Sequence, residues 1–317
     1  MSSNSNDNGR AYEFICLHSL YDAISKIRSA HILKNSSYEA AKNAWNRLSD
    51  SKQALLSLSA KSTIDTIFAL EPNIVEDSSD DLSLYIQTDK HGEEADVRDI
   101  IIARKDIIWE IGLSLKHNNE AVKHSRIVKT LDFGEKWYGV KCSKTYWSEV
   151  KPIFDFLEAE KAKGTYFREL VSKEDQVYVP LLKAFIKEIS KQVRNDNKIP
   201  RRMVEYLLSK YDFYKVISMD SIRITTIQSF NMYGTLNLPS KIAKPLIKVP
   251  VIDLPTSLLH IGFKPKSKTT VLMCFDSGWQ FSFRIHNAKD LVEPSLKFDV
   301  KIIGMPASVN IKYNCKW

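Results

Sequence analysis

Residues 99–119 read DIIIARKDIIWEIGLSLKHNN, two short apolar runs interrupted by the charged break Arg104, Lys105 and Asp106. Runs of this length, rich in isoleucine, leucine and tryptophan and bounded by polar residues, predict two β-strands joined by a tight turn. Side chains alternate faces along a strand. One face of the second strand is therefore Ile107, Trp109, Ile111, Leu113 and Leu115, and the other is Ile108, Glu110, Gly112, Ser114 and Lys116. A turn centred on Lys105 and Asp106 sets Asp99 opposite Gly112 and diagonal to Ser114, at about 5–8 Å. An acid, a hydroxyl and an amine then meet at one strand end.

Outward from this hairpin the pattern stays readable. Upstream, LSLYIQTD (82–89) alternates and is followed by a turn near His91 and Gly92, so residues 82–116 predict a three-strand antiparallel meander. Before it, residues 10–71 carry apolar residues at helical spacing in RAYEFICLHSLYDAISKI, YEAAKNAWNRL and KQALLSLSAKSTIDTIFAL. After it, Asn118 or Asn119 is placed to cap a helix over EAVKHSRIVKTL. Further helices are expected at 144–163, 175–194 and 201–210. From Asp212 onward strand-like runs dominate, among them SIRITTIQSF, TTVLMCF, WQFSFRI and LKFDVKII. The expected class is α/β (α+β), with a helical N-terminal region and a β-rich C-terminal portion. The expected organisation is a core over residues 1–150 and a second region over 151–317, packed into one globular unit.

The totals narrow the function classes. A chain of 317 residues can bury a large core. Its net charge of +8 favours a polyanionic partner. Cys16, Cys142, Cys274 and Cys315 lie far apart with no C-x-x-C pair, which argues against a zinc knuckle or a disulfide framework and for a reducing cytoplasm. The polar N-terminus MSSNSNDNGR predicts no signal peptide, and no apolar run is long enough to span a bilayer, so no membrane partner is expected. Only ten glycines are present and none forms a phosphate-binding loop, so no small-molecule cofactor is expected.

Acid, hydroxyl and amine on one strand end suit phosphodiester cleavage. Carboxylates hold Mg²⁺, which neutralises phosphate charge and acidifies bound water. A lysine orients the water or stabilises transition-state charge. The candidates are Asp99 and Lys116, with Ser114 as a supporting hydrogen bonder and Asp96 as the alternative metal ligand. Glu13 is the candidate second carboxylate, because it shares a helix face with Cys16, Leu17, Leu20 and Ile24. Glu110 is its rival, but it lies roughly 13 Å along the strand from Ser114. The bland alternatives are a solvent-reaching Lys116 and a Glu13 that only complements its helix dipole.

For contacts to nucleic acid, His117, Asn118, Asn119, Lys123, His124, Arg126 and Lys129 are expected to form a basic helical stretch that grips phosphates. In GWQFSFRIHN, the alternation sets Arg284 and His286, followed by Asn287, apart from the apolar Phe281, Phe283 and Ile285. Arg284 has the chemistry to pair with guanine O6 and N7, or to serve as a structural arginine.

Helix, three strands and helix, with an acid opening one strand and x-K ending the next, resembles the PD-(D/E)-x-K nuclease fold. Arg98 stands where that motif has proline and Ser114 where it has its second acid. Longer strings resemble a particular family: GRAYEFICL, WEIGLSLKHNNEAVKHSR, LDFGEKWYGV, YDFYKV, GWQFSFRIHNA and EPSLKFDV are similar, in order, to the HaeIII family of type II restriction endonucleases. The resemblance implies Mg²⁺-dependent cleavage of double-stranded DNA at 5′-GGCC-3′, between the central G and C, leaving blunt ends. It also implies a cognate GGCC methyltransferase as a functional, not physical, partner. A palindromic site favours a two-fold homodimer.

Overall fold

The stripe of Tyr12, Cys16, Leu17, Leu20 and Ile24 is buried along one side of the first helix, α1 (Ser2–Ile24), which lies against a mixed sheet. The structure, a computed structural model, describes residues 2–76, 78–88, 96–118, 123–309 and 311–317, with backbone only at 2–6, 123 and 124. The expected turn at His91 and Gly92 lies outside the described residues. Two units divide the chain: residues 1–120, 209–252 and 307–317 form the first, and residues 121–208 and 253–306 the second. Among the described residues no helix is long and apolar enough to cross a membrane.

The first unit holds a seven-stranded sheet. Its strands are β1 (Ala30–Ile32), β2 (Leu82–Ile86), β3 (Ile100–Arg104), β4 (Trp109–His117), β6 (Phe213–Met219), β7 (Ile224–Phe230) and β12 (Tyr313–Lys316), side by side in that order. The expected meander is present: β2 pairs antiparallel with β3, and β3 with β4. Strand β4 then pairs parallel with β6, which requires a crossover, here the whole stretch between His117 and Phe213. On one face Leu84, Ile100, Ile102, Ile111, Leu113, Leu115, Tyr214 and Val216 pack with the α1 stripe into a single core. The helices α2 (Ser36–Asn46), α3 (Asp50–Ser62), α4 (Ile64–Leu70) and α5 (Pro72–Val75) complete this unit. A buried hydroxyl chain ties α1 and α3 to the sheet: Tyr12 Oη lies 2.9 Å from Ser59 Oγ, which bonds Ser218 and Thr225 at 2.7 Å each.

The hairpin differs from expectation in one respect. Ile100 pairs with Leu113 and Arg104 with Trp109, two positions along from the register read from the sequence. The link is a 3₁₀ turn over Lys105–Ile107 followed by Ile108 in the left-handed region (φ 53), which moves the turn centre one residue on. A shift of two leaves every side chain on its expected face. Extended one step, the observed register sets Asp99 against Ser114, not Gly112.

The second unit has a five-stranded antiparallel sheet in the order β5 (Lys123–Val128), β11 (Ser295–Gly304), β10 (Gln280–Asn287), β9 (Thr270–Phe275) and β8 (Leu258–Phe263). Its helices are α6 (Phe133–Tyr138), α7 (Lys144–Ala162), α8 (Val179–Asn195) and α9 (Ile199–Leu207). Trp137, Phe185 and Tyr206 from these helices meet Phe283 and Phe298 on one sheet face in a cluster of aromatic contacts. The expected helix over EAVKHSRIVKTL is overturned here, since its described part is β5. Buried Ser125 and Ile127 alternate with exposed Arg126, and β5 completes its hydrogen bonds on β11, an alternation that helical spacing cannot bury.

Candidate active site

Asp99 sits just before β3, where the chain enters the sheet, and its carboxylate turns onto β4. Oδ2 accepts the backbone N–H of Leu115 at 2.6 Å, and lies 3.5 Å from both Ser114 Oγ and Lys116 Nζ. The Asp99 and Lys116 side chains are 26% and 27% exposed, whereas Ser114 is 2% exposed. Acid and amine thus meet at an open edge above a buried hydroxyl. Among the described residues no hydrogen bond engages Asp99 Oδ1.

Glu13 is half-buried on α1. Tyr12, its neighbour, brings this part of α1 to the end of β4, with its ring centroid 6.1 Å from that of His117. Burial pushes the Cys16 thiol up; a hydrogen bond from Tyr12 opposes the shift, and the charges of Glu13 and Asp99 add to it. Both carboxylates therefore act on one sulfur, from a helix and from a strand end. Two oxygen donors of this kind suit Mg²⁺, which is commonly bound by one or two carboxylates with water and phosphate oxygens completing the shell. Among the described residues no group of three or more His, Cys, Asp or Glu is placed to hold a metal.

Asp96 is committed elsewhere. It pairs with Arg98, Oδ2 to Nη2 at 2.8 Å and Oδ1 to Nε at 2.9 Å, and Arg98 Nη1 reaches Glu110 at 2.7 Å. The arginine that replaces the motif's proline lies across Gly112, where an added Cβ would stand 2.0 Å from Arg98 Cδ. Tyr211 caps the guanidinium at 4.2 Å from its ring centroid. The Arg98 clamp thus occupies both Asp96 and Glu110, and Gly112 is the glycine that makes room for it.

His117 and Asn118 join Lys52 and Asp220 in a tight cluster. Asp220 accepts from Lys52 at 2.5 Å, His117 at 3.1 Å and Asn118 at 3.2 Å. Burial favours neutral His117, with Asp220 opposing. For Asp220, burial works against ionisation, but Lys52, His117 and Asn118 outweigh it and hold the carboxyl below its ordinary range. The cluster also fixes Asn118 in a left-handed conformation (φ 52) that ends β4.

The candidates from Lys123 onward belong to the second unit. Asn119 and the side chains of Lys123 and His124 lie outside the described residues. The sheet face opposite the aromatic cluster carries Arg126, Lys297 and His286 in one register row, and Asp299 and Arg284 in the next. Arg126 Nη1 donates to Ser295 Oγ at 3.1 Å, while Arg284 is exposed and, among the described residues, enters no ion pair. Asn287 donates to the Lys289 carbonyl, and His286 Nδ1 lies 2.8 Å from the carbonyl of Asn287. Lys129 is ion-paired with Asp155 and Glu158. Trp137 and Trp279 are buried packing groups.

Sequence reasoning missed Lys52 and Asp220, whereas Lys215 stood among its candidates for a groove or a structural role. Lys215 pairs in register with Ser114. Its signal was present in DFYKVISM, a lysine at the alternate position of an apolar strand.

The family model for the HaeIII restriction endonuclease matches residues 9–306. The type II restriction enzyme HaeIII of Haemophilus aegyptius is 52% identical over 310 residues, spanning 98% of this chain and 97% of that protein. No solved structure matches the chain.

Proposed function

The chain belongs to the HaeIII restriction endonuclease family and is a type II site-specific deoxyribonuclease; from that premise we propose that it hydrolyses double-stranded DNA at 5′-GGCC-3′, between the central G and C, at a Mg²⁺-dependent site built on Asp99 and Lys116. The observation that carries this reading is the meeting of Asp99 and Lys116 at 3.5 Å on a partly exposed strand end, with the carboxylate pinned by the Leu115 N–H.

Asp99 and Glu13 are the residues that would hold Mg²⁺, which supplies charge neutralisation and an acidified water when bound. Lys116 presents its ammonium where the scissile phosphate has to lie, and stabilises the charge that builds as water oxygen bonds to phosphorus and the bond to the 3′ oxygen breaks. Ser114 fills the buried place beneath them without adding a second negative charge. The uncovered sheet face of the second unit supplies DNA contacts: Arg126, with Lys297 beside it, holds phosphates, and Arg284 is the candidate base reader. A palindrome read in this way calls for a two-fold homodimer, each copy cutting one strand. It also calls for a GGCC methyltransferase that protects the same sites in the host.

The test is digestion of plasmid DNA with Mg²⁺ and sequencing of the fragment termini. Blunt ends at GG/CC support the reading. Termini at any other sequence overturn the specificity, and intact plasmid overturns the site.

A further inference from the structure

Strand β4 ends at His117, one residue past Lys116, and the residue that closes this end is Asp220, the first after β6. One Asp220 oxygen accepts from Lys52 of α3 and from the Asn118 amide, and both oxygens lie 3.1 Å from His117 Nε2. Lys52 Nζ itself stands 3.4 Å from His117 Nε2. The tie runs both ways: the Asp220 backbone N–H donates to Asn118 Oδ1 at 3.0 Å, and the Asn118 N–H donates to the Ser218 carbonyl at 2.8 Å. Lys116 and His117 pair in register with Ile217 and Ser218. The ends of two parallel strands and the first turn of α3 are thus joined beside Lys116.

Lys116 depends on such a tie. Its ion pair with Asp99 is 3.5 Å long and partly exposed, and pairs of this kind restrain a long side chain only weakly. Where its ammonium stands is therefore decided by its backbone, in the last turn of the strand. Alternation sets His117 on the α1 side, beside Tyr12, and Lys116 on the other, so the tie grips one face of the strand end and leaves the Lys116 face open. Asn118 takes up the left-handed conformation there, which asparagine adopts more readily than most residues. An ionised carboxylate suits the hub, because its hydrogen bonds to charged donors are about twice as strong as those between neutral groups.

We propose that Asp220 is a positioning residue for cleavage: by holding His117 and Asn118 against Lys52, it fixes the end of β4 and with it the place of the Lys116 ammonium beside Asp99. This rests on the assignment of the cleaving site to Asp99 and Lys116. Asp220 acts through Lys116 alone, and a displacement of about 1 Å at a reacting group costs up to about 100-fold in rate. The proposed Mg²⁺ donors, Asp99 and Glu13, and the DNA contacts of the second unit are left as they are. The loss therefore falls on kcat, not on KM or the Mg²⁺ requirement.

The experiment measures kcat and KM on a short duplex carrying the cleavage site, with single-turnover rates for slow variants and melting curves for all. Asp220→Asn keeps the side-chain size but cannot accept from all three donors. It lowers kcat roughly 10- to 100-fold, with KM and the half-saturating Mg²⁺ concentration within about threefold. In the Lys116→Ala background the same substitution lowers the rate by no more than about twofold, because no ammonium is left to place. Asn118→Gly keeps the left-handed turn, deletes its side-chain bonds to Asp220 and lowers kcat in the same way, so it decides the matter where Asp220→Asn does not fold. An unchanged kcat, a loss carried by KM alone, or equal losses with and without Lys116 overturns the proposal. Lys116→Ala separates it from the reading beneath it: normal cleavage by that variant removes the whole site, whereas a slow Lys116→Ala beside a fully active Asp220→Asn removes Asp220 alone.

Discussion

The backbone N–H of Leu115 donates to Asp99 Oδ2 at 2.6 Å, while the ammonium of Lys116 stands off at 3.5 Å. The main chain of β4, not the lysine, holds the carboxylate in place. The metal-holding role proposed for Asp99 and the charge-stabilising role proposed for Lys116 should therefore be separable by mutation.

Lys116→Ala should lower the cleavage rate by roughly 100- to 10,000-fold. Sequence-specific binding in Ca²⁺ should remain within about threefold, because Asp99 keeps its strongest hydrogen bond. Gel-shift and single-turnover cleavage measurements on one preparation check both halves.

Glu13→Gln should raise the Mg²⁺ concentration needed for half-maximal cleavage by roughly 10-fold or more, since one of the two proposed carboxylate donors becomes a weak amide ligand. A titration curve that overlays the parent's returns Glu13 to the role of a helix-end carboxylate.

Gly112→Ala should destabilise the protein by about 1–3 kcal/mol, the range of an overpacked core site. The new methyl meets three carbons of Arg98, a side chain already committed to Asp96 and Glu110. Chemical denaturation measures the loss, and a neutral result would show that the clamp can move aside.

Stability should fall as pH rises through neutrality. Burial pushes the Glu71 carboxyl up to about 7 from 4.5, although hydrogen bonds from Tyr214 and Asn237 oppose the shift. The folded state binds this proton more tightly than the unfolded chain, so the contribution is complete below about pH 4.5 and disappears above about pH 7. It amounts to about 3 kcal/mol. Glu71→Gln should flatten this part of the stability–pH curve in urea melts across that window.

Arg284→Ala should weaken DNA binding. If Arg284 reads guanine, discrimination against altered sites falls by about 1–3 kcal/mol. If it touches only phosphate, affinity drops equally for all sequences and the salt slope decreases by about one. Equal affinity and equal slope for parent and variant would take Arg284 out of the interface.

Much of this was legible in residues 99–119. Alternation assigned every side chain of β4 to its correct face, and the acid, hydroxyl and lysine do meet. The register was misread by two, because a 3₁₀ turn with a left-handed Ile108 looks, in sequence, like a simple charged break. Lys123–Val128 misled because it follows asparagines that suit a helix cap, while its partner β11 lies about 170 residues later in the chain. In sequence Asp99 stands ahead of Asp96 as the metal ligand, because its run opens the apolar strand, but Asp96 remains the alternative. Arg98 separates them in space by claiming Asp96.

Local pattern alone determined the meander, the α1 stripe and the candidate pair Asp99 and Lys116, since side-chain alternation and helical periodicity are properties of neighbouring residues. Tertiary structure alone decided which strand lies beside β4, and with it the placement of Lys215 next to Ser114 and of Asp220 next to His117. Those partners are about 100 residues apart in the chain, and hydrogen bonding between strands carries no trace in the spacing of either segment.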